Sequence, residues 1–179
     1  MLSLFLTADL TGYYLSHPLQ KNVASNSGLV RVTNLRPHDT VENPFWYTFS
    51  VQCSSCRQVH PKKLNISRFE SNAIKGSRGD ANLIWKCKSC KREASATIIA
   101  PPTAYQQESP ATRQKIIEID CRGLDIIEFS PEGEWLANGS HSKTQFSSID
   151  LTDGEWYEYD ETLGEEVNIL DLKWEITKN

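Results

Sequence analysis

The sequence is poor in the features that mark many common functional classes. Its 179 residues include one methionine. No stretch approaches the roughly 20 apolar residues that a helix needs to cross a bilayer. No segment sustains a 3.6-residue apolar period over a useful length, which argues against a helical architecture. There is no HExxH, no phosphate-cradling glycine loop and no visible Ser–His–Asp arrangement, although spatial triads need not be close in sequence. Five cysteines are an awkward number for a disulfide framework. Met1 to Ala8 is apolar but lacks a basic leader and stops at Asp9, so a strand is expected there rather than a signal peptide. These features point to an intracellular chain with no membrane association, cytoplasmic and with access to the nucleus.

What is present is β-structure. Leu4, Leu6 and Ala8 alternate with Phe5, Thr7 and Asp9. Further strands are expected at Leu29 to Thr33, Phe45 to Val51, Lys63 to Phe69, Leu83 to Trp85, Glu93 to Ala100, Lys115 to Asp120, Leu124 to Phe129 and Phe146 to Leu151. Leu170, Leu172, Trp174 and Ile176 alternate as a final strand. Val167 and Ile169 have the opposite phase, which predicts a bulge near Ile169. Residues 11–28 are polar and turn-rich, and read as a long surface loop. Residues 101–113, with Pro, Gln, Ser and Thr and little bulk, read as a linker. The expected class is mainly β, with two packed β-subdomains of sandwich or barrel type, residues 1–100 and 114–179. The first carries a four-cysteine insertion like a zinc ribbon, within a basic module at residues 51–92.

The pattern Cys53-Ser-Ser-Cys56, thirty residues, then Cys87-Lys-Ser-Cys90 is the strongest signal. Each C-x-x-C turn can direct two sulfurs at one cation, and two such turns complete a tetrahedron. One structural zinc ion is therefore expected on Cys53, Cys56, Cys87 and Cys90. Four cysteines leave no open position for catalysis at the metal. A redox C-x-x-C typically sits beside a helix N-terminus, and no helix is expected after either pair.

Charge is unevenly spread. Residues 51–92 carry a net +8 and residues 116–179 a net −12. The basic module either offsets the −2 of a zinc tetrathiolate or meets a nucleic acid. Only Phe69 and Trp85 lie between the cysteine pairs to stack on bases. The acidic segment Glu155 to Glu161 either docks a basic partner or holds Trp156 as a cap on the core under a solvated rim. Cys121 shares the phase of Ile117 and Ile119 and reads as a buried structural thiol. His17, His38, His60 and His141 are scattered. His60 follows Cys56 by four residues, but four thiolates leave it no vacancy.

Several motifs then occur together: Asn34-Leu35-Arg36-Pro37, the two C-x-x-C pairs, Lys75-Gly76-Ser77-Arg78-Gly79, Cys121-Arg122-Gly123-Leu124, and Phe146-x-x-Ile149-Asp150-Leu151 with Trp156 and Tyr159-Asp160. In this combination the chain resembles the eukaryotic CXXC-motif-containing zinc-binding proteins, over about residues 29 to 176. The resemblance implies a compact β protein with one zinc on the four cysteines and no assigned reaction. Arg36, Arg78 and Arg122 match its motifs, either lining a shared surface or bracing turns. The expected function is a non-enzymatic binding or adaptor module, monomeric, with a protein partner. The alternatives are a nucleic-acid-binding zinc ribbon and a thiol or metal exchange protein in metal homeostasis.

Overall fold

The computed structural model describes residues 1–11, 31–108 and 110–178. His17, most of the loop expected at 11–28 and the start of the strand expected at Leu29 lie outside them. The described residues form strands and turns with no helix. In chain order the strands are β1 (Leu2–Asp9), β2 (Val32–Pro37), β3 (Tyr47–Cys53), β4 (Leu64–Ile66), β5 (Asn72–Ala73), β6 (Asp80–Ala81) and β7 (Leu83–Lys86). Then follow β8 (Glu93–Ile98), β9 (Gln114–Arg122), β10 (Leu124–Ser130), β11 (Trp135–Gly139), β12 (Gln145–Ile149), β13 (Trp156–Asp160) and β14 (Glu165–Lys178). The mainly β class expected from alternation is what the chain adopts.

The largest sheet has six strands in the order β13-β14-β1-β9-β8-β7. Two three-stranded sheets, β10-β3-β4 and β12-β11-β2, pack with it, and β5 and β6 form a small ribbon. All the pairings are antiparallel. Leu2, Leu4, Leu6 and Ala8 are buried on one face of β1, as the period of two requires. β14 changes phase at Asp171, which takes a left-handed φ of 53° opposite the register shift in β1. This is the expected bulge, two residues beyond Ile169.

Each of the three larger sheets joins strands from either side of residues 101–113. The boundary expected there is thus a feature of the sequence, not a gap between cores. The buried residues of both halves form one continuous cluster. The described part of residues 101–113 is itself fastened down at Tyr105. Tyr105 is fully buried, its hydroxyl donates to the Ala8 carbonyl at 2.8 Å, and its backbone pairs with Leu35. One bulky residue in a polar segment is enough to anchor it. The core centres on Trp135, whose ring meets Phe45 at 5.5 Å and Trp174 at 5.3 Å.

Two polar hubs lock the sheets together. The Asp39 side chain is buried, accepts from Arg68 Nε at 2.7 Å, and lies 3.3 Å from the Tyr47 hydroxyl that donates to it. Asp160, at the end of β13, is fully buried. It accepts from the hydroxyls of Ser142 and Thr144 and from the backbone N–H groups of Thr162 and Leu163. These bonds tie the β11–β12 hairpin to the β13–β14 turn.

Candidate metal centre

The first cysteine turn leaves the end of β3, and the second joins β7 to β8. Each is closed by backbone bonds in the same pattern. Arg57 N–H donates to the Cys53 carbonyl at 2.9 Å, and Lys91 N–H to the Cys87 carbonyl at 3.0 Å. The Cys53 N–H reaches Gln58 O at 3.0 Å, and the Cys87 N–H reaches Arg92 O at 2.9 Å. Arg57 and Lys91, each following the second cysteine of its pair, share a left-handed φ, at 59° and 63°. Two segments thirty residues apart thus fold into equivalent turns that face each other.

The four sulfurs lie within 4.8 Å of one another. Cys53 Sγ is 3.6 Å from Cys90 Sγ, and Cys56 Sγ is 3.6 Å from Cys87 Sγ. A disulfide holds its sulfurs about 2.0 Å apart, so neither pair is oxidised. A cation bound tetrahedrally at about 2.3 Å spaces its sulfurs about 3.8 Å apart, close to what is seen. Electrostatics fit a cation as well. The Cys56 N–H, opposed by desolvation and joined by the Ser55 N–H, pulls the Cys53 thiol down to about 6. The Cys90 and Ser89 amides, the first of them the larger influence, likewise lower Cys87 against desolvation. The Gln58 amide favours the Cys56 thiolate, but desolvation and the other sulfurs outweigh it and push that thiol up to about 11. The other sulfurs lower Cys53 and Cys87 but raise Cys56, so the four do not ionise together unaided, and a soft divalent cation removes that penalty. Cys53 and Cys87 are buried, and Cys56 is exposed.

The support beneath the turns comes from later in the chain. Gly123 takes a φ of +78°, and its carbonyl accepts from Ser54 N–H at 3.2 Å. A Cβ at Gly123 would lie 3.2 Å from Ala94 Cβ. Asp125 accepts from Ser54 Oγ at 3.0 Å and pairs with Arg57 at 3.4 Å. Arg92 reaches across to Ser55 Oγ at 3.0 Å, linking one turn to the other. The sequence signalled Gly123 only as part of a motif, and gave no sign that Asp125 serves the first turn.

The other candidates are not at this cluster. The His60 ring stands edge-on to Trp85 with centroids 5.5 Å apart, and His38 Nδ1 lies 3.1 Å from Glu134 Oε2 in a separate cavity of about 310 Å3. Hydrogen bonds from His38 and Ser148 hold Glu134 below the usual carboxylate range. His141 is exposed. Cys121 is half-buried, and burial pushes its thiol up to about 12, as suits an inert side chain. The three motif arginines are dispersed over β2, the β5–β6 turn and the end of β9. Arg36 donates to Asn34 O at 2.9 Å, and Arg122 Nε donates to Asp120 at 3.1 Å. Trp156 packs against Phe146 with centroids 5.5 Å apart, whereas Tyr157 and Tyr159 are exposed.

Comparison with known proteins agrees with this geometry. The family described as CXXC motif containing zinc binding protein, eukaryotic, matches residues 23–177. A UPF0587 protein of Schizosaccharomyces pombe is 46% identical over 153 residues, covering 86% of this chain and 94% of its own length. The Homo sapiens CXXC motif containing zinc binding protein is 35% identical, over 84% of this chain and 92% of its own. The crystal structure of C1orf123 superposes with a TM-score of 0.80 at 32% identity, covering 99% of each chain. A hypothetical protein from Plasmodium falciparum shares the fold, with a TM-score of 0.76 at 18% identity over 98% of each chain. With its two C-x-x-C turns brought face to face, the chain belongs to the eukaryotic family of CXXC motif containing zinc binding proteins.

Proposed function

We propose that one zinc ion, held by Cys53, Cys56, Cys87 and Cys90, is a structural staple in a non-enzymatic binding module. The observation that supports this most directly is the ligand set. Four sulfurs in two equivalent turns lie within 4.8 Å of one another, close enough to share one cation, and a tetrahedral cation with four protein ligands has no site for a substrate. When bound, the zinc joins the end of β3 to the β7–β8 hairpin, and so one small sheet to the large one. The module is taken to act inside the cell as a monomer with a protein partner, through its basic or its acidic surface.

Zinc K-edge X-ray absorption on the purified protein tests this reading. Four sulfur scatterers and one zinc per chain are expected. A first sphere with three sulfurs and one oxygen would return the metal to the class of catalytic sites.

One observation favours a second reading, metal or thiol exchange. Cys56 is exposed, so an incoming thiolate can reach the cluster. Transfer of zinc to a competing thiolate protein within minutes at neutral pH would support exchange, and retention over days would leave the staple. A nucleic-acid role finds less support. Trp85 is buried, and Arg68 lies 4.0 Å over the ring of Phe69, so neither offers a free face to a base.

A further inference from the structure

The two cysteine turns leave a groove of about 260 Å3 between them. One wall is the segment 58–61, which follows the first turn. The other is formed by Trp85 and residues 87–89 of the second. The floor is apolar and uncovered. Val59 is 42% exposed, Pro61 lies beside it, and the Trp85 ring lies beneath. His60 lines the same wall. Its Nδ1 lies 2.6 Å from the Lys62 carbonyl and 3.3 Å from the Lys62 N–H, which ties the ring back to its own loop.

The rim is cationic and not neutralised. Lys88 lines the groove and Lys62 follows its lining residue Pro61; both are exposed, and neither forms an ion pair among the described residues. This contrasts with Arg57 and Lys63 of the same module, which pair with Asp125 and Glu132. The −2 of a zinc tetrathiolate offsets only part of the module's +8. A concave apolar floor edged by free lysine charge selects a ligand with a bulky apolar side chain flanked by carboxylates. The volume admits one large side chain with a short length of backbone, which is the scale of an extended segment rather than a folded domain. Both walls are fastened to the same sulfur cluster, so their spacing depends on the metal.

We propose that this groove captures an extended acidic segment of a partner protein, which lays one bulky apolar side chain over Val59 and Pro61 and sets carboxylates against Lys62 and Lys88. The proposal rests on the binding-module reading and gives it a surface and a partner class.

The test is fluorescence anisotropy of a short fluorescein-labelled peptide, acidic throughout except for a central Leu-Trp pair, titrated with the zinc-loaded full chain. Saturable binding is expected. It should weaken at least about tenfold in the Lys62→Glu/Lys88→Glu variant and in Val59→Asp, all exposed positions where folding is not at stake. It should be unchanged in Lys173→Glu, which changes charge on β14, and lost when a chelator removes the zinc. No binding, or an equal loss in Lys173→Glu, overturns the proposal. Oligothymidylate that binds the zinc-loaded chain at least as tightly as the peptide, and weakens in the same variants, assigns the face to nucleic acid and overturns it too. Self-association in sedimentation that is abolished by charge reversal of 155–161 gives the groove to a second copy and likewise overturns it. If the peptide fails while X-ray absorption still finds four sulfurs, the groove is refuted and the module reading stands. If the absorption experiment fails, the module reading falls on its own.

Discussion

Replacing Asp160 with Asn removes a charge and almost no volume, so it isolates what the carboxylate does. Asp160 is fully buried and accepts four hydrogen bonds, from Thr144 Oγ1 at 2.9 Å, Thr162 N at 3.0 Å, Leu163 N at 3.4 Å and the Ser142 hydroxyl. Bonds to a charged acceptor are each worth about 1 kcal/mol more than neutral ones. The amide nitrogen of Asn would also face the Ser142 hydroxyl, whose oxygen already accepts from Thr144 N–H at 3.1 Å. Allowing for non-additivity, Asp160→Asn should destabilise the fold by about 2–4 kcal/mol at neutral pH. The pH dependence has a definite sign. Burial opposes ionisation, but the hydroxyl and amide donors outweigh it and hold Asp160 below its ordinary value. A depressed carboxylate stabilises the fold above its unfolded pKa of about 3.9 and loses that contribution as pH falls through the folded value. The gap between wild type and variant should therefore be full at pH 7 and close in acid. Urea titrations followed by tryptophan fluorescence across this range measure it. A gap that is absent at pH 7, or that stays constant into acid, would refute the reasoning.

Three further outcomes follow from the same kind of argument. Cys87→Ser should abolish stoichiometric zinc by colorimetric assay. Hydrogen exchange should then rise in residues 53–58 and 87–92 while β1, β9 and β14 stay protected, because β1 is laddered to β9 on one side and to β14 on the other. Asp39→Ala strands the guanidinium of Arg68 and the hydroxyl of Tyr47, and should lower stability by about 3 kcal/mol in chemical denaturation. Gly133→Ala places a Cβ 2.9 Å from the buried ring of Phe45 at a φ of +108°, and should lower stability by about 2 kcal/mol or more in the same assay.

Much of this was legible in the sequence because a period of two leaves a plain mark. Leu2, Leu4, Leu6 and Ala8 announce β1, and the change of phase between Ile169 and Leu170 announces the bulge at Asp171. The four cysteines were legible because ligand spacing is local within each turn. What joins the turns was not. Gly123 and Asp125 support the first turn from about seventy residues away, and distance in sequence carries no periodic signal. Tyr105 was hidden by its polar neighbours, which gave residues 101–113 the composition of a linker while one phenol held them to Ala8. Asp39 and Asp160 look like ordinary surface carboxylates, and only their donors, supplied by other segments, make them interior groups. Strand order was also silent, since alternation fixes which face is buried but not which neighbour pairs.

β1 lies between β9 and β14, with Leu2 opposite Lys178 and Ile119. During synthesis, then, β1 must wait until β14, far later in the sequence, has been made before its second flank is filled. Until then it offers a bare apolar ladder to any passing strand. The late closure of so long a loop makes assembly slow relative to proteins built from local contacts. Shortening β14 should therefore leave β1 without its seal, and deliver the nascent protein to chaperones rather than to the native sheet.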